Sequence, residues 1–306
     1  MKKFIAIRFL QSIFALWAIS LIVFMLTRLT GSPIDSLLPD DASQEQILAV
    51  MQHWNLDKPL HHQYFSFLFN AVQGDFGEAL SRRGYSAMEV VMARLPATLE
   101  LSGVAILMSI VIAIPLGVLS AVKKGTAADS MANVVALFGQ SLPQFWLGII
   151  LIWFFAVTLG WLPTSGRGGP QHIILPALAM ALFQIAALTR LTRSGMLEVL
   201  DSEYIKLARV KGVPEWKVIW KHAFRNAVII PLTYFGILLG SILTGSIVIE
   251  TVFAWPGIGY LAMDAIRGRD FPLVQAVVIF FAMVFIAANF VVDILYAYID
   301  PRIRYK

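Results

Sequence analysis

Apolar residues gather in six long runs, and most charged residues fall in the stretches between them. The runs cover about 10–29, 99–122, 132–159, 174–191, 228–251 and 273–299. A helix rises about 1.5 Å per residue and the hydrocarbon core of a bilayer is about 30 Å thick, so roughly 20 apolar residues cross it. Each run is therefore expected to be a membrane-spanning helix, giving an all-α, polytopic chain. The stretch between the first two runs has its own pattern. Glu45, Ile47, Leu48, Met51 and Trp54 predict an amphipathic helix with Ser43 as its N-cap. Tyr64, Phe65, Phe67, Leu68 and Phe69 form a second apolar cluster, and Asp75-Phe76-Gly77 reads as a turn. This outer segment either caps the spans or offers a surface to an external partner. The expected division is an N-terminal anchor helix (1–30), an extracytoplasmic loop (31–96), a transmembrane domain (97–300) enclosing a cytoplasmic loop (192–227), and a short tail (301–306).

Composition agrees with lipid as the solvent. The 306 residues are 58% hydrophobic and 14% charged, with a mean hydropathy of +0.74, whereas a soluble domain is about 25% charged. Charge then sets the orientation. Sixteen of the 24 Lys and Arg residues fall on one side of the spans: at the N-terminus (Lys2, Lys3, Arg8), between runs two and three (Lys123, Lys124), between runs four and five, and at the C-terminus. The positive-inside rule places that side, with both termini, in the cytoplasm, and accounts for the net charge of +5 without nucleic acid. The first run approaches 20 apolar residues, and Arg28 follows it without a small-residue cleavage pattern, so it reads as an uncleaved anchor.

The loop between runs four and five is too charged for lipid and reads as helix–turn–helix. Glu203, Tyr204, Leu207 and Ala208 lie in its first arm, Gly212 stops that arm at a C′ position, and Pro214 opens the second. Trp216, Ile219, Trp220, Ala223 and Ala227 predict an apolar stripe with a period of 3.6, and Lys217, Lys221 and Arg225 a basic ridge. Such an elbow either transmits a push from a soluble partner to the spans or lies amphipathically in the headgroups.

Polar groups within spans are costly and face protein or a water-filled path. The candidates for a translocation path are Gln140, Ser141 and Gln144 beside Pro143, which is expected to bend its helix, together with Gln184, Ser241, Thr244 and Asn289. Packing between helices is the competing explanation for each. Glu250 and the run Trp255-Pro256-Gly257 mark an outer rim, read as a gate, a docking edge or a simple interfacial loop. The chain has no cysteine, and none of His53, His61, His62, His172 and His222 has zinc-ligand helical spacing, so no metal site is expected. His61 and His62, adjacent on a helix, are expected to point apart. There is no G-x-x-x-x-G-K-[ST] loop to cradle ATP phosphates, and no cluster of acid, base or metal-binding groups suggests an enzyme.

The stretches 201–212 and His222-Ala223-Phe224-Arg225-Asn226-Ala227 resemble the coupling loop of binding-protein-dependent permeases of ATP-binding cassette importers, in the peptide/nickel branch. The loop departs from the superfamily signature of Glu-Ala-Ala, three residues, then Gly: only Ala208 and Gly212 match, with Lys206 at the Glu position. Gly31-Ser32-Pro33, Leu56-Asp57-Lys58-Pro59-Leu60, Gly74-Asp75-Phe76-Gly77, 95–101, 160–166, Phe253-Ala254-Trp255-Pro256-Gly257-Ile258-Gly259 and the ending Asp300-Pro301-Arg302-Ile303-Arg304 are similar to family segments in the family's order. The resemblance implies a type I importer permease with Glu203, Tyr204, Ala208, Lys211, Gly212, Arg225 and Asn226 in the loop that meets the ATPase. It implies a second homologous permease, two ATP-binding subunits that carry ATP and magnesium, and an extracytoplasmic solute-binding protein. No cofactor is expected on this chain. The branch imports di- and oligopeptides, nickel or metal chelates, and glutathione, and 168–176 looks more like nickel-type members. The competing function is an ion-coupled secondary transporter using Glu250 and Asp293 as carriers.

Overall fold

The computed structural model describes residues 2–29, 42–53 and 56–299; the side chains of 2–4, 47, 50, 53, 233, 235–245 and 295–299 fall outside the described set. The sequence motifs at 31–33 and 300–304, and Trp54, lie outside the described residues. In chain order the helices are α1 (Lys2–Leu29), α2 (Gln44–His53), α3 (Leu60–Val72), α4 (Ala87–Val122), α5 (Ala127–Ser141) and α6 (Gln144–Leu151), which runs on as a π-helical stretch (Ile152–Thr158). Then come α7 (Pro170–Leu200) and α8 (Glu203–Val210). The next, α9, has an α-helical Glu215–Lys217, a π-helical Val218–Ala223 and an α-helical Phe224–Ala227. The chain closes with α10 (Ile229–Val252), α11 (Ile258–Arg267) and α12 (Phe271–Ile299). Among the described residues the β structure amounts to an isolated bridge between Glu78 and Ser86.

Within the described residues α1, α4, α7 and α12 are each long and apolar enough to cross a membrane, and α5 with α6 makes a fifth crossing if the bent pair is one span. The bend is 108°. A single helix kinked at Pro143 was the expectation for 132–159; instead α5 ends at Ser141 and Pro143 is the N-cap of α6. The proline ring disfavours helical backbone at the residue before it, and here Leu142 is extended at ψ 130°. The chain therefore stops and restarts.

The chain divides into two compact units, residues 1–98 with 256–306, and residues 99–255. In the first, α1 runs along α12 and α11 packs on α12. Arg8 of α1 pairs with Asp293 of α12 at 3.3 Å, and Gln275 donates to the Thr27 hydroxyl at 2.9 Å. Tyr64 of α3 shares a 2.9 Å hydroxyl bond with Ser20 and meets Phe24 edge-on. Asp270, fully buried, accepts from the Ser81 hydroxyl (2.6 Å) and N–H (2.8 Å) and from the Leu273 N–H (3.2 Å), so it caps α12 and pins the turn before α4. The predicted cap of α2 is present: Ser43 Oγ accepts from the Gln46 N–H, and Gln46 Oε1 accepts from the Ser43 N–H. Gly77 sits at φ +86° in the predicted turn and donates to Asp75 Oδ1.

In the second unit α7 is the axis, with α5, α6 and α10 packed on it. Gly169 caps α7 and donates its N–H to His172 Nδ1 at 3.0 Å, which gives that histidine a structural role. Helices approach closely where side chains are small. A Cβ on Gly117 of α4 would lie 2.6 Å from Thr192 Cβ and 2.7 Å from the Thr189 carbonyl of α7. Gly117→Leu should therefore destabilise the chain by about 3 kcal/mol or more, read as a lower Tm in detergent. Gly103→Ala, with nothing within 4 Å of the new Cβ, should leave Tm unchanged or slightly raised.

Candidate functional site

The elbow is built as its sequence pattern predicts in its first arm and its turn. Glu203 opens α8, where a carboxylate suits the helix dipole. Gly212 ends it at φ +75°, in the left-handed region that glycine enters without steric cost. The Gly212 N–H donates to Arg209 O (2.9 Å) and the Val213 N–H to Ala208 O (3.2 Å). Pro214 then stands at the N-cap of α9. The inner face is held by a core of Ile205, Val218, Ala223 and Ala227 against Val118 and Ala121 of α4 and Met196 of α7, with Ala208 packed beside it. Each large aliphatic side chain buried there contributes about 1.5–3 kcal/mol. The elbow is thus fastened to the ends of two membrane helices.

The expected stripe in α9 is corrected by the structure. Trp216 and Trp220 are exposed, at 63% and 45%, and Val218 takes the buried position with Ala223 and Ala227. The cause is the π-helical segment 218–223, whose i→i+5 bonding brings residues five apart to one face. Trp220 instead meets Phe224 edge-on, and the Lys217 ammonium sits 5.4 Å from the Trp216 ring centre.

The outer face combines exposed apolar groups with charge. Tyr204, Leu207, Val210, Trp216 and Trp220 are all exposed. Lys206 pairs with Glu203 and Arg209 with Glu215, each at 2.8 Å. Those hydrogen-bonded carboxylates raise the pKa of both basic groups above their ordinary values. Asn226 donates to the Tyr204 hydroxyl at 2.8 Å and so ties the two arms together. Lys211 and Arg225 are exposed as well.

A polar cluster at the root of the elbow escaped the sequence reading. Asp129, in the first turn of α5, receives both arms of Arg193 from α7, Nε at 2.7 Å and Nη2 at 2.9 Å. It also accepts from the Ser120 hydroxyl of α4 (2.6 Å), the Gly125 N–H (3.0 Å) and Asn133 Nδ2 (3.0 Å). The bidentate geometry is the strong form of an ion pair. Its sequence signals were weak: an acid at a helix start after two lysines, and an arginine counted only for topology.

The other candidates divide. Gln184 is buried, accepts the Ser109 hydroxyl at 3.0 Å, and so joins α7 to α4. Ser141 and Asn289 bond to carbonyls of their own helices, Leu137 O and Phe285 O. Gln140 and Gln144 are half-buried on either side of the break between α5 and α6. The side chains of Ser241 and Thr244 lie outside the described residues. At the outer rim Glu250 and Trp255 are fully buried, the Trp255 N–H donates to Glu250 O at 2.8 Å, and the Arg167 guanidinium lies 6.0 Å from the Trp255 ring. Trp255 of that rim is therefore an interior residue of this chain. Gly257 caps α11, and Pro256 O lies 3.4 Å from an Arg94 nitrogen. The His61 and His62 rings are 5.1 Å apart rather than pointing apart, and among the described residues no group of three metal-ligating side chains includes them. Asp293, a carrier in the competing secondary-transport reading, is engaged by Arg8.

Comparison with known proteins matches this architecture. The family described as binding-protein-dependent transport system inner membrane component matches residues 113–305. Over all of both chains, the sequence is 39% identical to the oligopeptide transport system permease protein AppB of Bacillus subtilis (strain 168). It is 40% identical to the glutathione transport system permease protein GsiC of Escherichia coli (strain K12), again over all of both chains. A solved chain of the inward-facing MetNI methionine ABC transporter superposes with a TM-score of 0.51 at 19% identity, covering 67% of this chain and 96% of that one, which establishes the type I importer permease fold. Its apolar helices and its family make this a multi-pass protein of the inner membrane. The chain therefore belongs to the binding-protein-dependent transport system inner membrane components, the permease subunits of ATP-binding cassette importers.

Proposed function

We propose that this chain imports peptides by alternating access and that the elbow of α8 and α9 is where an ATP-hydrolysing partner drives it. The observation that carries the reading is the two-faced elbow. One face is fixed to α4 and α7 through Ile205, Val218 and Met196; the other presents Tyr204, Leu207, Val210, Trp216 and Trp220 to the outside. Exposed apolar groups rimmed by charge mark a docking surface. In the assembly we infer, a second homologous permease completes the pathway, two ATP-binding subunits hold ATP and magnesium, and a solute-binding protein delivers substrate from outside. Membrane lipid surrounds the complex, and this chain binds no cofactor and no nucleic acid. Six spans follow if the bent α5–α6 pair and α10 are each counted once; α10 has 24 residues, about 36 Å of helix. The peptide assignment rests on the substrates in the relatives' names, oligopeptide and glutathione.

The absence of native cysteine makes the test direct. A cysteine placed at Val210 should react with a membrane-impermeant maleimide only from the cytoplasmic side and be shielded when the ATPase subunits are bound. A cysteine at Asp57 should react only from outside. Labelling of Val210→Cys on intact cells overturns the reading. Uptake of labelled dipeptide and tripeptide against labelled nickel, in proteoliposomes holding the full transporter, decides the substrate class. Glu203→Gln should not lower Tm, because an exposed i,i+3 pair contributes little to stability; any loss of uptake by it then reports the docking surface.

A further inference from the structure

A second site lies in the unit formed by residues 1–98 and 256–306, where α1 ends and α12 begins. A cavity of about 300 Å³ opens there, lined by Arg28 of α1, Gln63 of α3, Asp75 and Glu78 of the following turn, and Phe271 and Gln275 of α12. Two buried polar atoms in its wall have no hydrogen-bond partner, and they are of opposite kinds. The first is the Arg28 Nε donor; among the described residues no carboxylate lies within ion-pair distance of that guanidinium, which rests 5.3 Å from the Phe24 ring centre. The second is the Gln63 Oε1 acceptor. Gln63 is 9% exposed, and its Nε2 donates to Leu56 O (3.2 Å) and Lys58 O (2.7 Å). Both partners are acceptors, so the amide orientation is fixed and Oε1 is left over. Buried groups in this condition cost free energy until a ligand satisfies them.

The charges define that ligand. A simple anion would suit Arg28 but face Asp75 and Glu78; a simple cation would suit the carboxylates but face Arg28. A zwitterion with an anionic group and a primary ammonium satisfies all of them and donates to Gln63 Oε1. The surroundings define its other end. An apolar groove of about 560 Å³ runs beside the cavity between Ile19, Ile22 and Val23 of α1 and Val274 and Val278 of α12, and Phe271 lines both. Its wall is not covered by this chain: Ile22 is 57% exposed. We propose that this unit holds one phosphatidylethanolamine molecule, with its phosphate on Arg28, its ammonium toward Asp75 and Glu78, and an acyl chain along the groove.

The test is native mass spectrometry of the transporter purified with the full-length chain, mildly delipidated and offered defined lipids. Phosphatidylethanolamine should be retained at one molecule per chain, ahead of phosphatidylglycerol and phosphatidylcholine. Arg28→Gln and Gln63→Leu should each weaken retention about tenfold, the loss of one charged or buried hydrogen bond. Asp75→Asn keeps the turn, since its side-chain oxygen still accepts from Gly77, and should erase the preference for ethanolamine over choline; it carries the test if a core variant fails to fold. Equal retention of the three lipids, or unchanged retention in all variants, overturns the proposal. So does displacement by free phosphoethanolamine or by a dipeptide, which would make the cavity a site for a soluble zwitterion.

Discussion

Gly212→Trp should reduce peptide uptake by the assembled transporter at least tenfold while ATP hydrolysis continues and the Tm of the membrane helices stays unchanged. The argument is local. Gly212 holds φ +75°, and a Cβ added there meets nothing within 4 Å. The chain itself therefore imposes only the left-handed backbone cost, about 1–2 kcal/mol for an ordinary L residue. That cost falls on a turn outside the membrane and not on helix packing. The indole projects from the elbow's corner into whatever docks there. Gly212→Asn is the control, because asparagine tolerates the left-handed region and adds little bulk; it should retain most uptake. Normal uptake by Gly212→Trp would remove the elbow from the transport cycle.

Asp129→Ala is expected to be damaging for a different reason. It strips the acceptor from Ser120, Gly125 and Arg193 at once, while Asn133 keeps the Asp129 backbone carbonyl. The Arg193 guanidinium, 23% exposed, is then left without its counter-charge. These contacts join α4, α5 and α7 just before α7 leads into the elbow, so uptake should fall with stability. A lone charge left by breaking a buried pair is strongly destabilising, and a drop in Tm of roughly 5–10 °C is the expected scale. The double variant Asp129→Leu with Arg193→Met should recover much of that drop, since neither charge is then stranded. A double variant as unstable as Asp129→Ala would show that the ion pair itself, and not the orphaned charge, sets the stability. Uptake that stays low in a restored double variant would assign the pair a part in moving the elbow.

Much of the molecule was legible in one dimension. The apolar runs gave α1, α4, α7, α10 and α12, because a membrane helix must satisfy its backbone internally and clothe it in apolar side chains over a fixed length. The cap at Ser43, the turn at Gly77 and the stop at Gly212 were legible because each depends on a residue's own backbone preference or on a partner three residues away. The elbow was visible as charge between two apolar runs, and its resemblance to coupling loops followed from contiguous residues.

Contacts between distant positions were not legible. Asp129 and Arg193 stand 64 positions apart, Asp270 and Ser81 stand 189 apart, and no local pattern pairs them. Gln184 read as a candidate for the path or for helix packing, and only the fold shows Ser109 on its amide oxygen. The two tryptophans of α9 were misplaced because hydrophobic periodicity assumes 3.6 residues per turn, and packing against Val118 and Met196 accompanies a wider π turn instead. Sequence by itself determined which segments form long apolar helices and where the elbow bends, since these follow from hydropathy and single-residue conformation. Tertiary structure alone decided which face of the elbow is bolted down and which is offered, and which buried polar groups are paired. Those outcomes depend on side chains that only the folded chain brings within a few ångströms.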